Sequence, residues 1–217
     1  MKKASLSILL FLSILVGCTQ KKQSIAEETD YTQYVDPFIG TAYTGHTFPG
    51  ATYPLGMIQA GPETGNFSWE YCAGYVYGDS LINGFSQTRL NGTGCIDLGD
   101  LLIQPFSGDK REDLRSKYDL VSEDASPGYY TVKLTDNDVH VEITAAPHVA
   151  FHKYTFGKDK AANVLADFQS GLVWTEDRIH THVLENEVKF ENDKTISGYT
   201  RRKEWVDRVY YFVIKFD

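Results

Sequence analysis

Basic clusters, long apolar runs, helical periodicity and internal repeats are all scarce or missing in this chain, and each absence removes a class of protein. Asp and Glu number 29 against 21 Lys and Arg, for a formal charge of −8. Outside the extreme N-terminus the nearest thing to a basic cluster is Arg201-Arg202-Lys203, which sits beside Glu204 and Asp207. That balance speaks against nucleic acid as a partner, and the tripeptide reads as a solvated turn or strand face. The longest apolar run, Leu6 to Val16, is too short to cross a bilayer as a stable helix. No amphipathic helix of convincing length can be traced. Cysteine is rare, at three in 217 residues. No spacing rule pairs Cys72 with Cys95, although an exported protein would permit it.

What is present begins with a targeting segment, residues 1–18. Lys2 and Lys3 form its charged start, Leu6 to Val16 its apolar stretch, and Leu15-Val16-Gly17-Cys18 fits a bacterial lipobox. Cleavage would leave Cys18 as a lipidated N-terminus, anchoring the protein to the membrane of a Gram-negative-type envelope through acyl chains. Residues 19–33 are polar and read as a flexible tether. Residues 34–217 have globular composition, and 184 residues suffice for one β-domain with a real core.

Eleven of the chain's 18 glycines fall between Gly45 and Asp100. Glycine at that density weakens both helix and strand and marks tight turns or close backbone approach. Aromatics lie between the turns: Phe48, Tyr53, Phe67, Trp69, Tyr71, Tyr75, Tyr77 and Phe85. On residue types alone the stretch is either a surface that grips a flat, hydroxylated ligand or an elaborate loop layer capping a β-core.

The order of residues goes further. Gly45-His46-Thr47-Phe48-Pro49-Gly50-Ala51, Pro54-Leu55-Gly56-Met57, Gly84-Phe85-Ser86-Gln87-Thr88-Arg89-Leu90-Asn91-Gly92-Thr93-Gly94-Cys95 and Asp97-Leu98-Gly99-Asp100 follow one another. Together, and preceded by Tyr34-Val35-Asp36-Pro37-Phe38-Ile39-Gly40-Thr41, they resemble the N-terminal domain of the family 92 glycoside hydrolases, calcium-dependent exo-α-mannosidases. The resemblance is densest from Tyr34 to Pro105 and continues more weakly to Asp217. It implies an all-β fold, an antiparallel β-sandwich of the galactose-mutarotase-like supersandwich kind, with a long Gly-rich loop layer near the N-terminus. In the family pattern the Cys after Gly-Thr-Gly recurs without an obvious partner, which implies a free, buried Cys95.

Beyond Asp100 the chain turns to β-structure. Leu101-Leu102-Ile103 reads as a short strand ending at Pro105, and the charged stretch from Gly108 to Ser126 as mostly loop. Strands then follow roughly every ten residues. Tyr130, Val132 and Leu134 share a face, Asp136-Asn137-Asp138 is a turn, and Val139, Val141 and Ile143 face inward. Further strands are expected over Ala150 to Phe156, Asn163 to Phe168, Val183 to Phe190 and Thr195 to Thr200. The last strand, through Tyr210, Phe212, Ile214 and Phe216, is apolar on both faces and is expected inside the fold. It reaches Asp217 without a following turn. The resembled family continues its sandwich and adds a large helical domain, so the expectation is an incomplete chain lacking that C-terminal domain.

Glycoside hydrolysis with inversion needs two carboxyl groups about 6.5–9.5 Å apart. The resemblance implies that acid, base and Ca2+ ligands come mainly from the helical domain, so no catalytic residue and no metal ligand is assigned here. Asp97 and Asp100 read instead as turn carboxylates that accept backbone N–H bonds. What this half would supply is part of a pocket for a mannose-containing glycan. Trp69 offers an indole face to a sugar or, equally, to the loop layer. His46 sits in a Gly-His-Thr turn as a ligand contact or a structural hydrogen-bonding group. Gln87 and Arg89 read as donors to sugar hydroxyls, and Gly92 and Gly94 as backbone N–H donors. The family pattern carries His at one or both of positions 87 and 89, a departure that bears on the sugar or linkage contacted. His180 and His182 would share a strand face, but no third ligand lies nearby, and a surface strand is the expectation.

Three functions follow. The chain is the pocket-forming part of a lipid-anchored exo-α-mannosidase, a non-catalytic glycan-binding lipoprotein, or an inactive remnant.

Overall fold

Alternation of apolar and polar residues sets the architecture. The computed structural model describes residues 29–109 and 112–217; the lipobox with Cys18 and the tether up to residue 28 lie outside them. From Thr32 onward the described residues form strands joined by turns and three short 3-10 segments, Thr32–Tyr34, Trp69–Tyr71 and Glu176–His180. The strands are β1 (Ala51–Thr52), β2 (Gln59–Glu63), β3 (Leu81–Ile82), β4 (Gly84–Ser86), β5 (Leu102–Ser107), β6 (Ser116–Ser126), β7 (Tyr129–Leu134), β8 (Val139–Ala146), β9 (Val149–Phe156), β10 (Ala162–Asp167), β11 (Val183–Asn192), β12 (Thr195–Lys203) and β13 (Asp207–Lys215).

They form three antiparallel sheets, β1-β2-β4-β5-β10, β3-β6-β7-β8-β9 and β11-β12-β13. The first two face each other as a β-sandwich. Tyr130, Val132 and Leu134 from β7 and Val139, Val141 and Ile143 from β8 meet Ala51, Ala60 and Phe85 from the opposite sheet. Each fully buried Val or Ile contributes about 1.5–3 kcal/mol. The three-stranded sheet packs Phe212, Ile196 and Val188 against Ile103 and Val164. It therefore covers the β5-β10 end of the first sheet. The loop layer comprises the stretch from Gly45 into β1 and the connections between β1 and β5.

Three expectations are corrected. β6 is a strand of 11 residues where a loop was expected. Most of it faces outward, so it carries no buried face for alternation to reveal. β13 is not interior. Tyr210, Phe212 and Ile214 pack on the core, but Tyr211 is 74 % exposed and Val213 62 %. It pairs with β12 at the border of its sheet. β5 continues past Pro105 to Ser107. Its register with β4 is a single pair, Phe85 with Ile103, so the missing N–H of Pro105 breaks no ladder on that side.

Candidate functional site

Six non-glycine residues between Tyr43 and Leu101 have positive φ: Tyr43 (52°), His46 (54°), Leu55 (60°), Ser68 (79°), Leu98 (69°) and Leu101 (57°). Such conformations cost of order 1–2 kcal/mol each and persist only where the surroundings enforce them. They collect in the glycine-rich layer, and two of them frame one aromatic residue. Ser68 precedes Trp69, which opens the 3-10 segment, and His46 packs edge-on against the Trp69 indole. The ring centroids are 4.5 Å apart at 89°. Trp69 is 46 % exposed and His46 only 6 %. His46 Nε2 is buried without a hydrogen-bond partner, and the His46 carbonyl accepts from the Gly92 N–H at 2.6 Å. Gly94 lies against both rings: a Cβ there would be 3.1 Å from Trp69 Nε1 and 3.7 Å from the imidazole. Trp69, Gly92 and Gly94 are thus brought together at the surface of the layer, with the His46 ring buried against Trp69.

Arg89 and Gln87 do something else, and their reading as donors to sugar hydroxyls is corrected. The Arg89 guanidinium is 1 % exposed. Nε donates to the Gln59 carbonyl (3.3 Å), Nη1 to the carbonyls of Pro62 (2.8 Å) and Ala73 (2.9 Å), and Nη2 to the Gly61 carbonyl and Ser86 Oγ, both 2.7 Å. All five of its donors are engaged. The guanidinium also stacks 4.2 Å from the Phe48 ring centroid. Gln87 Nε2 donates to the carbonyl of Phe85 at 2.8 Å, and Gln87 Oε1 lies 3.0 Å from His152 Nε2. Both residues are engaged in holding the layer and the strands beside it together.

Near Arg89 lies a group the sequence did not flag. Glu63 is fully buried, and among the described residues the one side chain that approaches its carboxylate as a donor is the Ser86 hydroxyl. Burial pushes its pKa up to about 7, with the Arg89 charge opposing. No local motif signals this, since Pro62-Glu63-Thr64-Gly65 has the composition of an ordinary exposed turn.

Asp97 and Asp100 hold arginines from the third sheet. Asp97 Oδ1 accepts from Arg208 Nη1 at 2.6 Å, and Asp97 Oδ2 accepts the N–H groups of Trp205 and Val206 at 3.2 Å each. Asp100 accepts from Arg202 and Arg208. Burial opposes its ionisation, but the two guanidiniums outweigh it and hold its carboxyl below the usual range. Arg202 is therefore 1 % exposed rather than solvated. His182 meets Arg202 and the carbonyl of Arg178, after a 3-10 segment and not on a surface strand. Cys72 and Cys95 are both free, but Cys72 is the fully buried thiol and Cys95 only half-buried.

Among the described residues no three His, Cys, Asp or Glu side chains gather as a metal site. Asp97 and Asp100 are committed to arginines, while Glu70 accepts from Ser68 and Asp79 from Tyr71. The described residues therefore do not fit a calcium site.

The fold is thus an antiparallel β-sandwich carrying a strained, aromatic loop layer in which Trp69 stands half exposed. Residues 34–217 match the family model described as "Glycosyl hydrolase family 92 N-terminal domain". The chain belongs to that family. It is 34% identical to the family GH92 α-mannosidase BT3965 from Bacteroides thetaiotaomicron, solved in complex with mannoimidazole. The TM-score is 0.77 over 84% of this chain and 24% of that one. The GH92 family glycosyl hydrolase ccman5 is 26% identical with a TM-score of 0.69, over 85% and 26% of the two chains. An uncharacterized secreted glycosidase of Arthroderma benhamiae is 32% identical over 166 residues, 70% of this chain and 20% of that protein. This chain spans a fifth to a quarter of the length of these relatives.

Proposed function

We propose that this chain forms the substrate-facing wall of an exported exo-α-mannosidase that removes terminal α-mannosides from glycans with inversion. The observation that carries this reading is Trp69: half exposed, fixed edge-on by His46 and flanked by Gly94. An indole so held offers a large face for the C–H groups of a sugar ring at small entropy cost. The similarity to an α-mannosidase solved with mannoimidazole supports mannose as the sugar.

The general acid and base, and the ligands of any calcium, would belong to a catalytic helical domain beyond these residues. Asp97 and Asp100 are occupied by arginines and Glu63 is sealed from solvent. Export fits the secreted relative, and attachment to a membrane would run through a lipid on Cys18.

The test is calorimetric titration of mannose into the chain and its Trp69→Ala variant. Saturable binding that is lost in the variant is expected, and binding that is unchanged refutes the pocket. An aryl α-mannoside should not be turned over by this chain with calcium present. Measurable hydrolysis would place the acid and base within it.

A further inference from the structure

The chain has three tryptophans, and the other two form a second aromatic platform next to the first. Trp174 and Trp205 pack with ring centroids 6.1 Å apart at 37°. Trp205 is 60 % exposed and Val206 58 %. The pair adjoins Trp69 through the backbone: the Trp174 carbonyl accepts from the N–H of Ser68, the residue before Trp69, at 3.3 Å, and Val173 pairs with Phe67 as a parallel bridge. Phe67 is itself 38 % exposed.

An exposed tryptophan on a turn is ordinarily loose. Here two buried carboxylates hold the turns that carry the pair. Glu204, its side chain 6 % exposed, accepts the Trp174 N–H at 3.2 Å through Oε1 and two donors of Arg178, at 3.0 and 2.8 Å, through Oε2. Asp97, its side chain 4 % exposed, accepts the N–H groups of Trp205 and Val206 and is neutralised by Arg208. The turns that carry both indoles are therefore fixed before any ligand arrives, and Trp174 is half-buried against Cys72, Ile96 and Leu172, which lowers the ordering cost of binding. Polar residues follow in the chain: Thr175, Glu176 and Asp177, directly after Trp174, are all exposed.

We propose that Trp174 and Trp205 form a second saccharide subsite, which binds the sugar rings that follow the one on Trp69. It rests on the reading of Trp69 as a sugar contact. Flat apolar faces with flanking carboxylates and hydroxyl groups suit hexopyranose rings, whose C–H faces are apolar and whose edges are ringed with hydroxyls. The platform sets a preference for longer glycan chains over the free monosaccharide.

The test uses the whole chain with mannose, α-mannobiose and α-mannotriose. In Trp69→Phe the remaining indoles are Trp174 and Trp205, so their fluorescence reports this subsite directly. Mannotriose is expected to change the emission and mannose to leave it unchanged. In calorimetry Trp205→Ala is expected to weaken mannotriose about tenfold while mannose affinity stays the same. Trp205→Phe, which keeps a smaller aromatic face, should fall between, and it serves if the alanine variant does not fold. Equal affinity for mannose and mannotriose in the unmodified chain overturns the subsite. So does mannotriose binding that is indifferent to Trp205→Ala. Either result leaves the Trp69 reading standing. Mannose binding that survives Trp69→Ala refutes that reading instead, and no binding by any of the three saccharides overturns both.

Discussion

Arg208 on β13 donates to Asp97 in the loop layer at 2.6 Å, across 111 residues of sequence. With Arg202 and Asp100 it forms a charged seam between the third sheet and the layer that bears Trp69. Arg202 and Asp100 are 1 % and 3 % exposed at their side chains, so each charge depends on the other for compensation.

Removing one partner of that buried pair should be costly. Asp100→Asn is expected to lower stability by about 3–5 kcal/mol, because it leaves Arg202 buried and poorly compensated. A urea denaturation midpoint measures this. A midpoint within error of the unmodified chain would show that the seam is dispensable.

Arg89 should tolerate no substitute. Arg89→Lys keeps the charge but supplies three donors from one atom in place of a planar fork of five. It cannot reach the carbonyls of Gln59, Gly61, Pro62 and Ala73 together. A loss of more than about 2 kcal/mol is expected from the unsatisfied buried acceptors. Recovery of native stability in the lysine variant would contradict the bracing role.

Stability should depend on pH through two buried groups of opposite sign. Glu63 has its pKa raised by burial from 4.5 to about 7. Below pH 4.5 it is protonated in both states and costs nothing. Between about 4.5 and 7 the unfolded chain releases its proton first, so stability is lost as pH rises, by about 3 kcal/mol in all. His152 has its pKa lowered by burial from 6.5 to about 4. Its stability contribution is complete above 6.5 and is lost as pH falls toward 4. The two slopes oppose each other over the shared window. Glu63→Gln should remove one of them, leaving stability that climbs with pH from about 4 to 6.5 and is raised most near neutrality. Denaturation midpoints across that range check it, and an unchanged pH profile would contradict the buried-acid account.

Gly94→Ala should separate binding from folding. Its Cβ would press on the Trp69 indole at 3.1 Å. The side chain lies at the surface of the layer, so the stability cost is expected to stay under about 1 kcal/mol, while mannose binding falls markedly. Calorimetry beside thermal unfolding distinguishes the two effects. Binding that keeps its strength would place the sugar away from Trp69.

Much of the sandwich was legible because a half-buried strand writes itself in period two. Tyr130, Val132, Leu134, Val139, Val141 and Ile143 are all at or near zero exposure, as their alternation requires. β6 was not legible because Ser116–Ser126 buries little, and burial is what imposes a pattern. β13 misled because both of its faces are apolar while one is exposed. The loop layer could be anticipated from glycine density, but the grouping of Trp69, His46, Gly92 and Gly94 came from the family resemblance, which placed Gln87 and Arg89 there as well. The fate of Arg89 could not, because a glycine-flanked arginine reads the same whether its donors face solvent or carbonyls. Nor could the pairing of Asp97 and Asp100 with Arg202 and Arg208, since nothing local links partners more than 100 residues apart.

The central claim is that Trp69 meets the sugar. The most direct measurement follows the three indole N–H resonances of the chain by NMR during addition of mannose. Trp69, identified by its absence in Trp69→Phe, is predicted to shift progressively and saturably while the other two stay in place. A Trp69 resonance that remains fixed at saturating mannose would contradict the account.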